Sequence, residues 1–107
     1  MGTKVKGTTK KVKKNELTAA IVEAMSNRKA EDIVSLDLTG IQDAVADHFV
    51  ICHATATTQV RSIAEHIVDE VKDKLNDRPW HKSGLQNCEW VLLDYVDVVV
   101  HLFLKDR

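Results

Sequence analysis

The segment Glu89 to Leu104, reading EWVLLDYVDVVVHLFL, restricts the fold more than any other part of the chain, because it reads as one β-hairpin with two unlike faces. Side chains alternate along a strand, and directly opposed residues on paired strands point the same way. With Tyr95 and Val96 as the turn, Asp94 is expected opposite Asp97, Leu92 opposite Val99 and Trp90 opposite His101. One face then carries Val91, Leu93, Val98, Val100, Leu102 and Leu104, all aliphatic and suited only to a core. The other carries Trp90, Leu92, Asp94, Asp97, Val99, His101 and Phe103. Large apolar groups mixed with carboxylates and an imidazole make poor core but suit a surface that docks on another macromolecule.

The 107 residues, 44% of them apolar, are enough for one domain with a real core. No apolar run is long enough to span a bilayer and no hydrophobic leader stands at the N-terminus, so a cytoplasmic protein is expected. Two cysteines, Cys52 and Cys88, without a further thiol or histidine at zinc-ligand spacing, read as reduced thiols. The net charge of -1 conceals an asymmetry. Lys4, Lys6, Lys10, Lys11, Lys13 and Lys14 make residues 1–14 a lysine-rich tail of charge +6, leaving nine bases against sixteen acids in residues 15–107. A tail so poor in apolar groups is expected to be flexible. The folded body, at about -7, suits a basic protein partner better than general nucleic-acid binding.

Residues 15–107 are expected to form one domain. Leu17, Ala20, Ile21, Ala24 and Met25 recur at helical spacing behind Asn15, a good N-cap, and the helix should end near Arg28 and Lys29. Ile33 to Leu38 alternates as a strand, with Val34, Leu36 and Leu38 expected toward the core. Phe49 to Cys52 is an apolar run suited to a central strand. Val60, Ile63, Ala64, Ile67, Val68, Val71 and Leu75 form the stripe of a second helix, capped by Thr55 or Thr57 and ended before Pro79. Trp80 to Lys82 reads as a short edge strand. The order α, β, β, α, short β, β, β predicts an α/β (α+β) fold: a single mixed sheet of four to five strands with two flanking helices. If both helices cover one face, the other face of the hairpin is left for a partner.

No residue set in the chain forms a strong catalytic motif. Asp94 and Asp97 flank the turn and could hold a divalent cation, as a nucleotidyltransferase-like metal- and nucleotide-binding protein would require. A third carboxylate at suitable spacing is lacking, as are a glycine-rich phosphate loop and the Gly-Ser with Asp-x-Asp of nucleotidyltransferases. Turn-capping is the commoner use of such aspartates. Cys52 and His53 are adjacent on a strand and therefore point to opposite faces, which rules out a dyad between them. No catalytic residue, metal ligand or cofactor is accordingly expected. His101, opposite Trp90 in this register, reads either as a structural histidine or as a partner contact.

Asp47-His48-Phe49-Val50-Ile51-Cys52, the stretch Thr55 to Val71, and above all Glu89 to Asp94 followed by Asp97 to Leu104 resemble the ribosomal silencing factor family, also called RsfS or Iojap. The resemblance runs from about Leu17 to Leu104. It implies a mixed sheet of nucleotidyltransferase-like topology without the catalytic motif. It further implies binding to the large ribosomal subunit through the subunit's fourteenth protein, steric exclusion of the small subunit and repression of translation. Trp90, Leu92 and Asp94 are carried over first as partner-binding residues; Tyr95, Asp97, Val99 and His101 follow by hairpin geometry, with Asp47 and His48 beside them. The N-terminal lysines would add a contact to ribosomal RNA, and the free protein would be a monomer or a homodimer. Where relatives have Gly in the hairpin turn, this chain has Val96.

Overall fold

A computed structural model describes residues 14–105, so the lysine tail, apart from Lys14, lies outside the described residues. The elements are α1 (Lys14–Asn27), β1 (Glu31–Asp37), β2 (His48–Ala54), α2 (Thr57–Leu75), β3 (His81–Ser83), β4 (Trp90–Asp94) and β5 (Val98–Leu104). The strands form one mixed five-stranded sheet in the order β1-β2-β5-β4-β3. Only the β2–β5 pair is parallel. The expected α+β class and the central position of β2 both hold.

Both helices lie on one face of the sheet. Leu17, Ile21, Ala24 and Met25 of α1 and Val60, Ile63, Ala64, Ile67 and Val71 of α2 close over Val50, Cys52 and Ala54 of β2, Val91 and Leu93 of β4, and Val98, Val100 and Leu102 of β5. These apolar positions recur at helical spacing in the helices and alternate in the strands, so burial of one face follows from both periods at once. Cys52 and Cys88 are free thiols inside this core. Burial pushes the Cys52 thiol up to about 12, which leaves it protonated and unreactive at neutral pH.

Capping differs from expectation at both helices. α1 already includes Lys14, which places Asn15 in its first turn. The N-cap of α2 is Ala56, without a side-chain cap bond, although Thr55 and Thr57 flank it. At the other end Asn76 adopts the left-handed conformation (φ 54°) and its N–H reaches the Lys72 carbonyl, stopping the helix ahead of Pro79.

The orientation of β1 is reversed from that expected. Leu36 pairs with Phe49 and Val34 with Ile51, which puts them on the face away from the helices, 40% and 44% exposed. The register shifts between Glu31 and Val34, where Asp32 has φ 52°, so a bulge changes the phase of the alternation. Ile33 instead packs against the core.

The hairpin register also differs. Trp90 pairs with Phe103, Leu92 with His101 and Asp94 with Val99, and the Tyr95 N–H bonds to the Val98 carbonyl at 2.8 Å. Val96 and Asp97 are therefore the two turn residues, not Tyr95 and Val96. The Asp97 N–H reaches back to the Tyr95 carbonyl (3.0 Å) across Val96 at φ 77°, a γ-turn centred on a β-branched residue. An Asp94 carboxylate oxygen accepts the Val96 N–H at 2.8 Å and helps hold the turn.

Gly84 lies in the loop before β4 at φ +81°, and a Cβ there would run into the Trp90 carbonyl oxygen. Two stability changes of opposite sign are expected. Gly84→Ala should cost about 2 kcal/mol or more, because strain and overlap act together. Val96→Gly should gain about 1 kcal/mol, since relief of the positive φ exceeds the entropic cost of glycine. Urea unfolding measures both; the Val96→Gly midpoint should rise with an unchanged m-value.

Candidate functional site

The face of the sheet away from the helices is built in rows by the strand registers. Nearest the hairpin turn stand Leu36, Phe49, Val99, Asp94 and His81, one from each strand. The middle row is Val34, Ile51, His101, Leu92 and Ser83. The third is His53, Phe103 and Trp90. No described helix covers these rows. Their centre is nonetheless dense: Val99 is buried, and Phe49, Ile51, Leu92, His101 and Phe103 are half-buried by one another. Trp90 stands out at 58% exposed. This apolar centre is edged by Asp94, His81 and His53, whose Nε2 lies 3.3 Å from a Glu31 carboxylate oxygen and 3.5 Å from one of Asp32.

An aromatic group occupies the middle. The Phe49 ring meets the His101 ring edge-on at 4.8 Å between centroids, and Trp90 lies 5.2 Å from Phe103. The Trp90 indole Nε1–H donates to His101 Nδ1 at 3.4 Å. Burial lowers the pKa of His101 below its ordinary value of 6.5, favouring the neutral ring that this bond requires.

The nine residues singled out from sequence divide into three groups. Trp90, Leu92, Asp94, Val99 and His101 share the open face. Asp47 and Asp97 gather at its turn end, where the Asp97 carbonyl accepts the N–H groups of both Asp47 (2.9 Å) and His48 (3.0 Å). His48 and Tyr95 are turned toward the helix side: His48 is in register with buried Val98, and Tyr95 belongs to the core cluster. The shifted turn is the reason for Tyr95: one residue past β4, bonded through its N–H to the Val98 carbonyl, it continues the alternation of Val91 and Leu93 inward. Its hydroxyl is buried without a hydrogen-bond partner, and burial, with Asp77 nearby, raises its pKa. Tyr95 thus packs in the core.

Sequence reasoning missed Val34, Leu36, Phe49 and Ile51 as members of this face. The signal for Phe49 and Ile51 was hidden in an unbroken apolar run, which announces burial on both sides without saying what lies on each. Among the described residues no three His, Cys, Asp or Glu side chains are grouped to hold a metal ion. No described helix is long and apolar enough to cross a membrane.

Comparison with known proteins is consistent with this arrangement. The chain is 43% identical over 84 residues to the ribosomal silencing factor RsfS of Bacillus subtilis, covering 78% of this chain and 70% of that protein. It is 39% identical over 92 residues to the RsfS of Halalkalibacterium halodurans, covering 86% and 77% of the two chains. A crystal structure of a Chromobacterium violaceum protein superimposes with a TM-score of 0.80 at 27% identity, covering 87% of this chain and 76% of that one. One from Bacillus halodurans gives 0.76 at 37% identity, covering 86% and 84%. The family described as ribosomal silencing factor during starvation matches residues 11–107, and the chain belongs to that family.

Proposed function

We propose that this protein represses translation by docking on the large ribosomal subunit, through the subunit's fourteenth protein, and sterically excluding the small subunit. The reading rests on family membership for the ribosome and on one structural observation for the surface: a sheet face left uncovered by both helices, apolar at its centre and carrying the exposed Trp90 indole. Trp90, Leu92, Asp94, Val99 and His101 form the docking patch in this reading, with Asp47 and Asp97 at its end. His48 and Tyr95 contribute from behind, by supporting the strand ends. The acidic body favours a basic partner and a contact that weakens with salt. The lysines of residues 1–14 would add a secondary contact to ribosomal RNA. Such a protein works in the cytoplasm and needs no cofactor.

The competing metal- and nucleotide-binding reading would use Asp94 and Asp97. One Asp94 carboxylate oxygen is already engaged by the Val96 N–H, and among the described residues no third His, Cys, Asp or Glu joins Asp94 and Asp97 in a group that could hold a metal ion.

Co-sedimentation with purified large subunits tests the proposal. Trp90→Ala should weaken binding at least tenfold, as expected for truncation of a central aromatic anchor worth ~2 kcal/mol. Asp94→Lys should weaken it comparably by reversing a rim charge, whereas deletion of residues 1–14 should produce only a modest loss. Equal retention of wild type, Trp90→Ala and Asp94→Lys would sink the docking patch.

A further inference from the structure

The geometry points to His101 as a positioning residue that holds the Trp90 indole in its docking pose, accepting the indole N–H as a neutral ring, so that protonation of this one imidazole releases the anchor. This deepens the proposed function and rests on it for the consequence to binding. An indole nitrogen can only donate, so His101 Nδ1 must carry a free lone pair and the ring proton must sit on Nε2. Nε2 is buried without a hydrogen-bond partner. The ring is therefore sealed on one side and committed to Trp90 on the other. Adding a proton would set Nδ1–H against the indole N–H, donor against donor, and would place a charge in the row containing Val34, Ile51 and Leu92.

The surroundings offer little to offset that charge. From β2 the ring is faced by Phe49, Ile51 and His53, and from β4 by Trp90, Leu92 and Asp94; its neighbours on the same side of β5 are Val99 and Phe103. Among these, His53 is already paired with Glu31 (3.3 Å) and Asp32 (3.5 Å) of β1, and an Asp94 oxygen is bonded to the Val96 N–H. His81 of β3 lies beyond Asp94. Among the described residues no carboxylate forms an ion pair with His101. Burial dominates, and the ring titrates below 6.5 in the folded protein. The unfolded chain consequently takes up this proton first. Stability falls as the pH drops below about 6.5 and levels off once the folded ring is protonated too.

A free indole on an open face must be ordered when it binds, at a cost that prior anchoring removes. His101 therefore matters to docking without having to touch the partner itself.

The test uses the full chain carrying Trp80→Phe, so that Trp90 is the only indole. Its Nε1–H resonance and hydrogen exchange are followed by NMR alongside the His101 ring from about pH 7.5 to about pH 4.5. The indole signal should shift, and its protection against exchange relative to a free indole at the same pH should fall, with the midpoint of His101 and below 6.5. In His101→Phe, which keeps a ring but removes the acceptor, the indole should exchange at the rate of a free indole at every pH, and the variant should bind large subunits about tenfold more weakly near neutrality. His101→Gln, whose amide oxygen can accept the indole N–H, should restore slow exchange and binding and abolish the pH response. An indole that ignores the titration of His101, or large-subunit binding unchanged by His101→Phe, would overturn the inference. Wild-type protein that shows the coupled titration yet never sediments with large subunits would instead refute the docking reading on which the binding consequence rests.

Discussion

The parallel pairing of β2 with β5 is the constraint on which the rest of the structure depends. His48 to Ala54 run beside Val98 to Leu104 residue for residue, so the chain leaves β2, crosses through α2, builds β3 and β4, and returns to the middle of the sheet. Parallel neighbours need such a crossover, and here α2 lies in it, packing with α1 on one face. Both helices being on that side leaves the opposite side without a cover. The same pairing brings Phe49 beside Val99 and Ile51 beside His101, turning what would be the outside of a two-stranded ribbon into a broad apolar surface.

Three of the positive-φ residues help shape this surface. The bulge at Asp32 sets the phase of β1 and sends Val34 and Leu36 to the open side. Gly84 lets the loop before β4 pass against the Trp90 carbonyl, at the end of the strand that carries the exposed indole. Val96 holds a tight turn at a positive φ that a β-branched residue adopts only at a cost, and Asp94 offsets part of it through the hydrogen bond from the Val96 N–H. Unfavourable conformations persist where the surrounding structure over-determines them, and the one at Val96 borders β4, the strand that presents Trp90 and Asp94.

The electrostatic character of the open face follows from its packing. Partial burial among two phenylalanines and a tryptophan lowers the pKa of His101 and favours its neutral ring, which can accept a hydrogen bond that an imidazolium could not. The carboxylates stand at the margins: Glu31 and Asp32 beside His53 on one side, Asp94 and Asp97 toward the turn. The two thiols lie on the helix side and are protected there as packing groups.

Much of this was legible from residue order because alternation in a strand has a period of two. Moving the hairpin turn from Tyr95–Val96 to Val96–Asp97 changes every cross-strand partner but preserves which residues share a face. The aliphatic and mixed faces were therefore readable although the pairs were not, and the stripe of α2 was readable for the same kind of reason. The tertiary structure alone decided what alternation leaves open. Tyr95 went inward because it became a paired residue instead of a turn residue. His48 went to the helix side with Val98, and Val34 and Leu36 went outward, since a period names two faces without saying which one the helices will cover. That choice depends on contacts between segments far apart in the chain: β2 against β5 and the two helices over them. Residue order therefore settled the faces, and long-range packing settled which of them stayed open.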